Sequence, residues 1–223
     1  MLDVLRNEFR NYNIDNELFS IKVKNTTISD QDPEIIEVEY KSVFSELPYI
    51  RERVLIEIGA RSLLEPAENK EIKSLISEYY PNSSIDDNAF IVKTISPEKT
   101  FLEKMILLHE EFTKPEDKIR YHRMSRHLYD IGEIISTKYG SNALKNSKLF
   151  DEIVAHREIF TPVKTVNYSN LQIDKLNIIP KKELLKKYEE DYIEMQENMI
   201  YGESLLFNDL INNILDEIRQ IIK

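Results

Sequence analysis

The sequence predicts an α+β protein, with strands concentrated in residues 1–95 and helices in residues 96–223. Three observations lead there. Short runs that alternate apolar and polar residues, the period of a half-buried strand, recur before Ser96. From Ser96 onward apolar residues return every three or four positions, the period of a helix packed on one face. The 223 residues are 41% hydrophobic and 31% charged, which suffices for a core in one large domain or two small ones.

The elements follow in order. Leu2 to Asn11 reads as a helix with Val4, Leu5 and Phe9 on one side. Phe19-Ser20-Ile21-Lys22-Val23 alternates as a strand. Ile35 to Tyr40 alternates again, after the turn signal Asp30-Gln31-Asp32-Pro33. Arg53 to Gly59 is more apolar and reads as a central strand closed by glycine. Ala89 to Ile95 is a fourth strand, and Glu71 to Tyr80 fits helix and strand alike. Ser96-Pro97-Glu98 is a helix start: a hydroxyl N-cap, proline in the first turn, then an acid near the positive end of the dipole. Phe101, Met105, Leu108 and Phe112 carry the apolar stripe of that helix. A second helix is expected over roughly Glu116 to Lys138, with Gly140 as its C-cap. Shorter helical stretches surround Leu149 to Phe160, and Thr161 to Pro180 reads as a long connection. Tyr188, Tyr192 and Met195 mark one further helix face, and Phe207, Leu210, Ile214 and Ile218 mark the last.

Composition narrows the chemistry. There is no cysteine, which excludes disulfides, thiolate metal sites and cysteine nucleophiles. Only four glycines occur, where average usage of about 7% would give roughly sixteen. That weakens any P-loop or Rossmann reading, because those turns need positive φ and close backbone approach. A net charge of -10 argues against a globally basic surface but leaves room for a local basic site. The first residues show neither a basic n-region nor an apolar h-region, and no run approaches the length of a membrane span. The expected location is therefore cytoplasmic.

Three places could carry chemistry. Glu57 sits in the most apolar strand, on the face opposite Ile56 and Ile58. It is either one more solvated acid or a carboxylate presented on a sheet, with Arg61 just beyond the strand end. Lys104 lies on the shoulder of the stripe formed by Phe101, Met105, Leu108 and Phe112; such a lysine is usually solvated. In the stretch from Arg120 to Asp130, helical spacing puts Arg123, Arg126, His127 and Asp130 on one stripe, beside a core stripe of Met124, Leu128, Ile131 and Ile135. This strip is either an Arg126–Asp130 surface ion pair or a phosphate-binding line in which arginine supplies the fork. The four histidines lack zinc spacing, no G-x-S-x-G occurs, and Asp30-Gln31-Asp32 reads as a turn.

Several stretches together resemble one family. They are Val54 to Arg61; Pro97 to Lys104 with Leu108-His109; Arg126 to Ile131; Val154 to Arg157; Asp191 to Met195; and Met199 to Glu203. Their order and spacing are similar to those of the AbiEii/AbiGii nucleotidyltransferase toxins of type IV toxin–antitoxin systems. The resemblance implies a partial nucleotidyltransferase-like mixed sheet with helices, of the DNA-polymerase-β-like superfamily, followed by an all-helical C-terminal domain. It implies transfer of a nucleotide from an NTP to an acceptor, RNA in some relatives, with Mg²⁺ held by acids. It assigns catalytic roles to Lys104 and Asp130, nucleotide or phosphate binding to Arg61, Lys104, Arg126 and His127, and the metal to Glu57.

The chain also departs from the family pattern. Relatives carry a Gly-Gly-Thr or Gly-Ser turn and then Asp-x-Asp upstream of everything matched here, and this sequence has no adjacent glycines and no Gly-Ser. It resembles the C-terminal two-thirds of the family, so the chain alone is expected to be inactive unless that module is supplied. The resemblance implies a cognate antitoxin as a partner. A second copy or another chain completing the sheet is a further expectation, since a missing strand exposes an edge. The rival expectation is a non-catalytic protein that binds an antitoxin, a partner subunit or RNA.

Overall fold

The computed structural model describes residues 4, 7, 19–24, 34–42, 51–58, 63–82 and 88–222. Of the helix expected over residues 2–11, only Val4 and Asn7 are described, both helical. The turn at Asp30-Gln31-Asp32-Pro33, Gly59 and Arg61 lie outside the described residues. The protein is α+β: seven helices and two small antiparallel sheets are described. Its contacts gather into two compact units, one of Met1–Ser62 with Ile193–Ser204, the other of Leu63–Tyr192 with Leu205–Lys223.

The first unit holds a three-stranded sheet in the order β1 (Phe19–Lys24), β2 (Glu34–Tyr40), β3 (Arg53–Ile58). All its pairings are antiparallel, with Ile21 opposite Val38 and Ile36 opposite Ile56. The resemblance implied a mixed sheet; no parallel pair occurs among the described residues. Alternation does the work here. Ile21, Ile36 and Val38 are buried, and Phe19, Ile56 and Ile58 pack against them. The opposite face carries polar cross-strand pairs, Lys22 with Glu39 and Arg53 with Glu37. Arg53–Ile58 was expected to be central; among the described residues β2 is central and β3 pairs with β2 alone.

The second unit begins with β4 (Ala67–Ile72), α1 (Leu75–Tyr79) and β5 (Phe90–Ile95), with β4 and β5 paired antiparallel. The ambiguous stretch from Glu71 to Tyr80 thus divides between a strand end and a short helix, whose N-cap Ser74 accepts from the Ser77 N–H at 3.1 Å. The helices follow: α2 (Pro97–Phe112), α3 (Ser125–Ile135), α4 (Lys138–Lys145), α5 (Ser147–Phe160), α6 (Lys182–Asn198) and α7 (Phe207–Ile222). Ser96, where the composition changes, caps α2 by accepting from the Lys99 N–H at 3.3 Å, with Pro97 in the first turn. Phe101, Met105, Leu108 and Phe112 are all buried, as their spacing predicts.

The single helix expected from Glu116 to Lys138 is three pieces instead. Glu116–Lys118 is one 3-10 turn, α3 starts at Ser125, and α4 starts at Lys138. Gly140 is not a C-cap but the third residue of α4. A Cβ there would lie 2.5 Å from Ile135 Cα and 2.8 Å from the Ile134 carbonyl oxygen, so the close approach of α4 to the end of α3 requires glycine.

Candidate functional site

α2 and α3 pack together, and Phe101, Leu102, Met105 and Leu108 of the first and Leu128, Ile131 and Ile135 of the second are buried. Burying those stripes fixes what the two helices present at their shoulders. Lys104 Nζ reaches Asp130 Oδ2 at 2.5 Å. Their side chains are 22% and 38% exposed, so the pair is open to a ligand from solvent. Partly exposed ion pairs contribute little stability. Among the described residues, Asp130 takes Lys104 as its ion-pair partner, and the i,i+4 pair with Arg126 that the sequence left open is not formed. Arg126, one turn earlier on α3, is exposed. Nearby on α2, Lys99 is fully buried and meets Glu103 at 2.9 Å.

His127 lies among these charges. Burial, then the neighbouring Lys104 and Arg126, lower its pKa to about 4. At neutral pH it is uncharged, so the positive charge of the strip comes from Lys104 and Arg126. Its buried Nδ1 has no hydrogen-bond partner among the described residues. Arg123 does not join the strip: it precedes α3, with a left-handed φ of 57°.

Glu57 is exposed on β3 of the first unit, opposite Ile35 in the register. Among the described residues no group of three His, Asp or Glu side chains gathers around it. One carboxylate does not fit the metal site implied by the resemblance. The structure thus brings Lys104, Asp130, Arg126 and His127 together in one unit, places Glu57 in the other, and leaves Arg61 outside the described residues.

Three buried acids support the site and were given no role by sequence reasoning. Asp191 on α6 is buried and accepts from the Arg123 N–H at 2.5 Å, the Ser125 N–H at 2.9 Å and the Ser125 hydroxyl. The N-cap of α3, Met124, supplies no side-chain acceptor; Asp191 fills that place from 66 residues away in sequence. His122 Nδ1 stands 3.8 Å from the same carboxylate. Glu111 accepts from the Arg120 N–H, from its Nε and Nη2, and from Lys114. Those donors hold its pKa below the usual carboxylate range although burial opposes them most strongly. Glu110 takes a bidentate pair from Arg157 and the Tyr168 hydroxyl at 2.6 Å. A signal was present: two adjacent acids follow His109 directly in front of Phe112, inside the apolar stripe.

Apart from this strip, a cleft of about 610 Å³ lies between β4, the start of α2, α4 and α5, lined by Lys70, Glu98, Lys138, Tyr139 and Asn142 among others. None of the site residues named above lines it.

A family model described as nucleotidyl transferase AbiEii toxin, type IV TA system, matches residues 1–218. No curated protein and no solved structure matches the chain.

Proposed function

The chain belongs to the AbiEii nucleotidyltransferase toxin family of type IV toxin–antitoxin systems, and from that premise we propose that its Lys104–Asp130 pair and Arg126 form the triphosphate-facing part of a nucleotidyl-transfer site. The family calls for an NTP, a divalent metal and an antitoxin partner. In the reaction an acceptor hydroxyl oxygen bonds to the α-phosphorus, the bond to the bridging oxygen breaks, and pyrophosphate leaves with that electron pair. Lys104 and Arg126 offset charge on the phosphates. Asp130 aims the Lys104 ammonium, and the hydroxyl proton leaves through it or through solvent. The carrying observation is the 2.5 Å pair itself, because it joins the two helices whose sequences, Pro97–Lys104 and Arg126–Ile131, resemble the family.

The proposal includes a dependence. The 223 residues hold no adjacent glycines and only one strand carboxylate at the expected metal position. The chain alone is inactive, and the glycine-rich turn and paired aspartates come from another segment or another polypeptide. Incubation with Mg²⁺, labelled NTPs and total RNA tests this: no label moves with the chain alone, and robust transfer overturns the dependence. Adding a separately expressed Gly-Gly…Asp-x-Asp module from a relative restores transfer, and Lys104→Met removes it again. Transfer that survives Lys104→Met sinks the site assignment.

A second reading, a non-catalytic interaction protein, is favoured by one observation. Leu75, Ile76, Tyr79, Phe90 and Ile91, on α1 and β5, are all more than half exposed. Exposed large apolar side chains of this kind are available to a partner. An antitoxin is the partner that the family implies. Light scattering at high concentration that shows a clean monomer, together with no complex with the antitoxin, excludes this reading.

A further inference from the structure

On a protein of net charge -10, nine of the 30 lysines and arginines fall in two short segments, residues 114–126 and 181–187, against three acids, Glu116, Asp117 and Glu183. The fold brings the segments together within the second unit. The Tyr188 hydroxyl donates to the Arg120 carbonyl at 2.7 Å, Asp191 holds the Arg123 and Ser125 N–H groups, and the Phe112 and Tyr188 rings pack at 5.6 Å. From α2, Glu111 grips the Arg120 backbone and guanidinium. The loop from Arg120 to Ser125 is therefore fixed from two sides.

Its outward groups are of one kind. Tyr121 is 43% exposed, and Lys187 Nζ stands 4.9 Å from the centre of its ring. The side chains of Arg120 and His122 are 63% and 67% exposed. Lys181, Lys182 and Arg126 face solvent as well. Not every cation is available: Glu111 neutralises Lys114 and Arg120 in part, and Lys186 turns toward Glu190 at 3.7 Å. A rigid aromatic ring flanked by cations suits an unpaired base stacked on the ring with its phosphates on the lysines and arginines. An acidic peptide would use the cations and leave the ring idle.

We infer that the Tyr121–Lys187 face binds single-stranded nucleic acid and leads it toward Lys104–Asp130. Arg126, exposed near the start of α3, follows this loop in the chain and precedes Asp130 by one helical turn. The inference deepens the proposed function by placing the acceptor strand, and rests on that reading only for what happens to the strand after it binds.

The test is fluorescence anisotropy with labelled single-stranded RNA of about 12 nucleotides, a length within reach of one such surface. The same sequence as DNA, an RNA duplex and polyglutamate serve as comparisons. The full chain binds the single strands, and weaker DNA binding identifies RNA as the natural source. Tyr121→Ala raises Kd about ten-fold, as loss of one stacked base would, and Tyr121→Phe restores it. Lys187→Gln weakens binding and reduces the slope of log K against log salt by about 0.7, the value for one phosphate contact on a single strand. Lys148→Gln, an exposed lysine on α5, changes nothing. The idea is overturned if no single strand binds, if Tyr121→Ala binds like the parent, or if duplex or polyglutamate binds as tightly. Binding that persists in Lys104→Met while transfer is never seen sinks only the catalytic reading.

Discussion

His127 shows how one residue's surroundings redefine its chemistry. By type and position it would add a cation to the stripe of Arg126 and Asp130. Its burial beside Lys104 and Arg126 lowers its pKa from 6.5 to about 4, and makes it neutral at the pH of a cell. The shift has a consequence for folding. Between pH 6.5 and 4 the unfolded chain binds a proton on this ring that the folded chain refuses, so folding stability from this group is complete above 6.5 and is lost as pH falls toward 4. Urea unfolding of His127→Gln should show a shallower fall in midpoint over that window than the parent, while the further loss below about pH 4.5 due to Glu111, whose pKa is lowered from 4.5, remains in both. Equal slopes in the two proteins would show that His127 is not held neutral. Arg126, His127 and Asp130 were legible as one stripe because helical spacing is periodic, whereas Arg123 was wrongly included because it precedes the helix at positive φ. The charge state was not, because it depends on Lys104, which arrives from a different helix.

Elements were readable to the extent that their period was clean. β1 and β2 were found from alternation, β3 from its apolar run closed by glycine, β5 as a further strand, and α2 from its cap and stripe. β4 was missed because Ala67-Glu68-Asn69-Lys70-Glu71-Ile72 has no apolar face: most of its residues are exposed, and it is held by pairing with β5. α3 was drawn too long because the cationic loop in front of it, with Arg120, His122 and Arg123, mimics a helix stripe. What stops the helix there is Arg123 at positive φ and the Asp191 cap, neither of which has a local sequence signature. Gly140 was misread for a related reason: a glycine near a helix end can serve as a C-cap or as a contact point, and only packing decides. The two buried helical glycines therefore separate in a testable way. At Gly140 an added Cβ meets backbone of Ile134 and Ile135, which cannot yield. At Gly132 it meets the Leu210 Cδ1 at 2.2 Å, the end of a side chain that can rotate. Gly140→Ala should cost on the order of 1–3 kcal/mol or more from overpacking. Gly132→Ala should cost less, because Leu210 can rotate aside; the helix propensity of alanine returns roughly 1 kcal/mol at either site. Chemical denaturation of both variants measures this; the reverse order would refute the account of the α3–α4 junction.

At the scale of the whole molecule, the buried ties of the second unit and the proposed site are built from different residues. The buried ties, Glu110 with Arg157 and Tyr168, Glu111 with Arg120, and Asp191 with the start of α3, hold the second unit together. The Lys104–Asp130 pair lies at its surface, 22% and 38% exposed. A pair so placed is worth about 0–1 kcal/mol to folding, which is too little to explain it as a structural feature. A double-mutant cycle exploits the difference. Lys104→Met, Asp130→Asn and the double variant should unfold within about 1 kcal/mol of the parent, with a coupling energy no larger. Tripolyphosphate binding measured by calorimetry should weaken in both variants that lack Lys104, because the cation is gone. In Asp130→Asn it should hold or tighten, because the ammonium is released from its partner. The same Asn substitution should slow label transfer in the reconstituted system, because an unaimed lysine is poorly placed for the transition state. If instead Asp130→Asn destabilises the chain by several kcal/mol and leaves phosphate binding and transfer unchanged, the pair is a strut of the α2–α3 packing. The proposed site would then have to be sought elsewhere in the molecule.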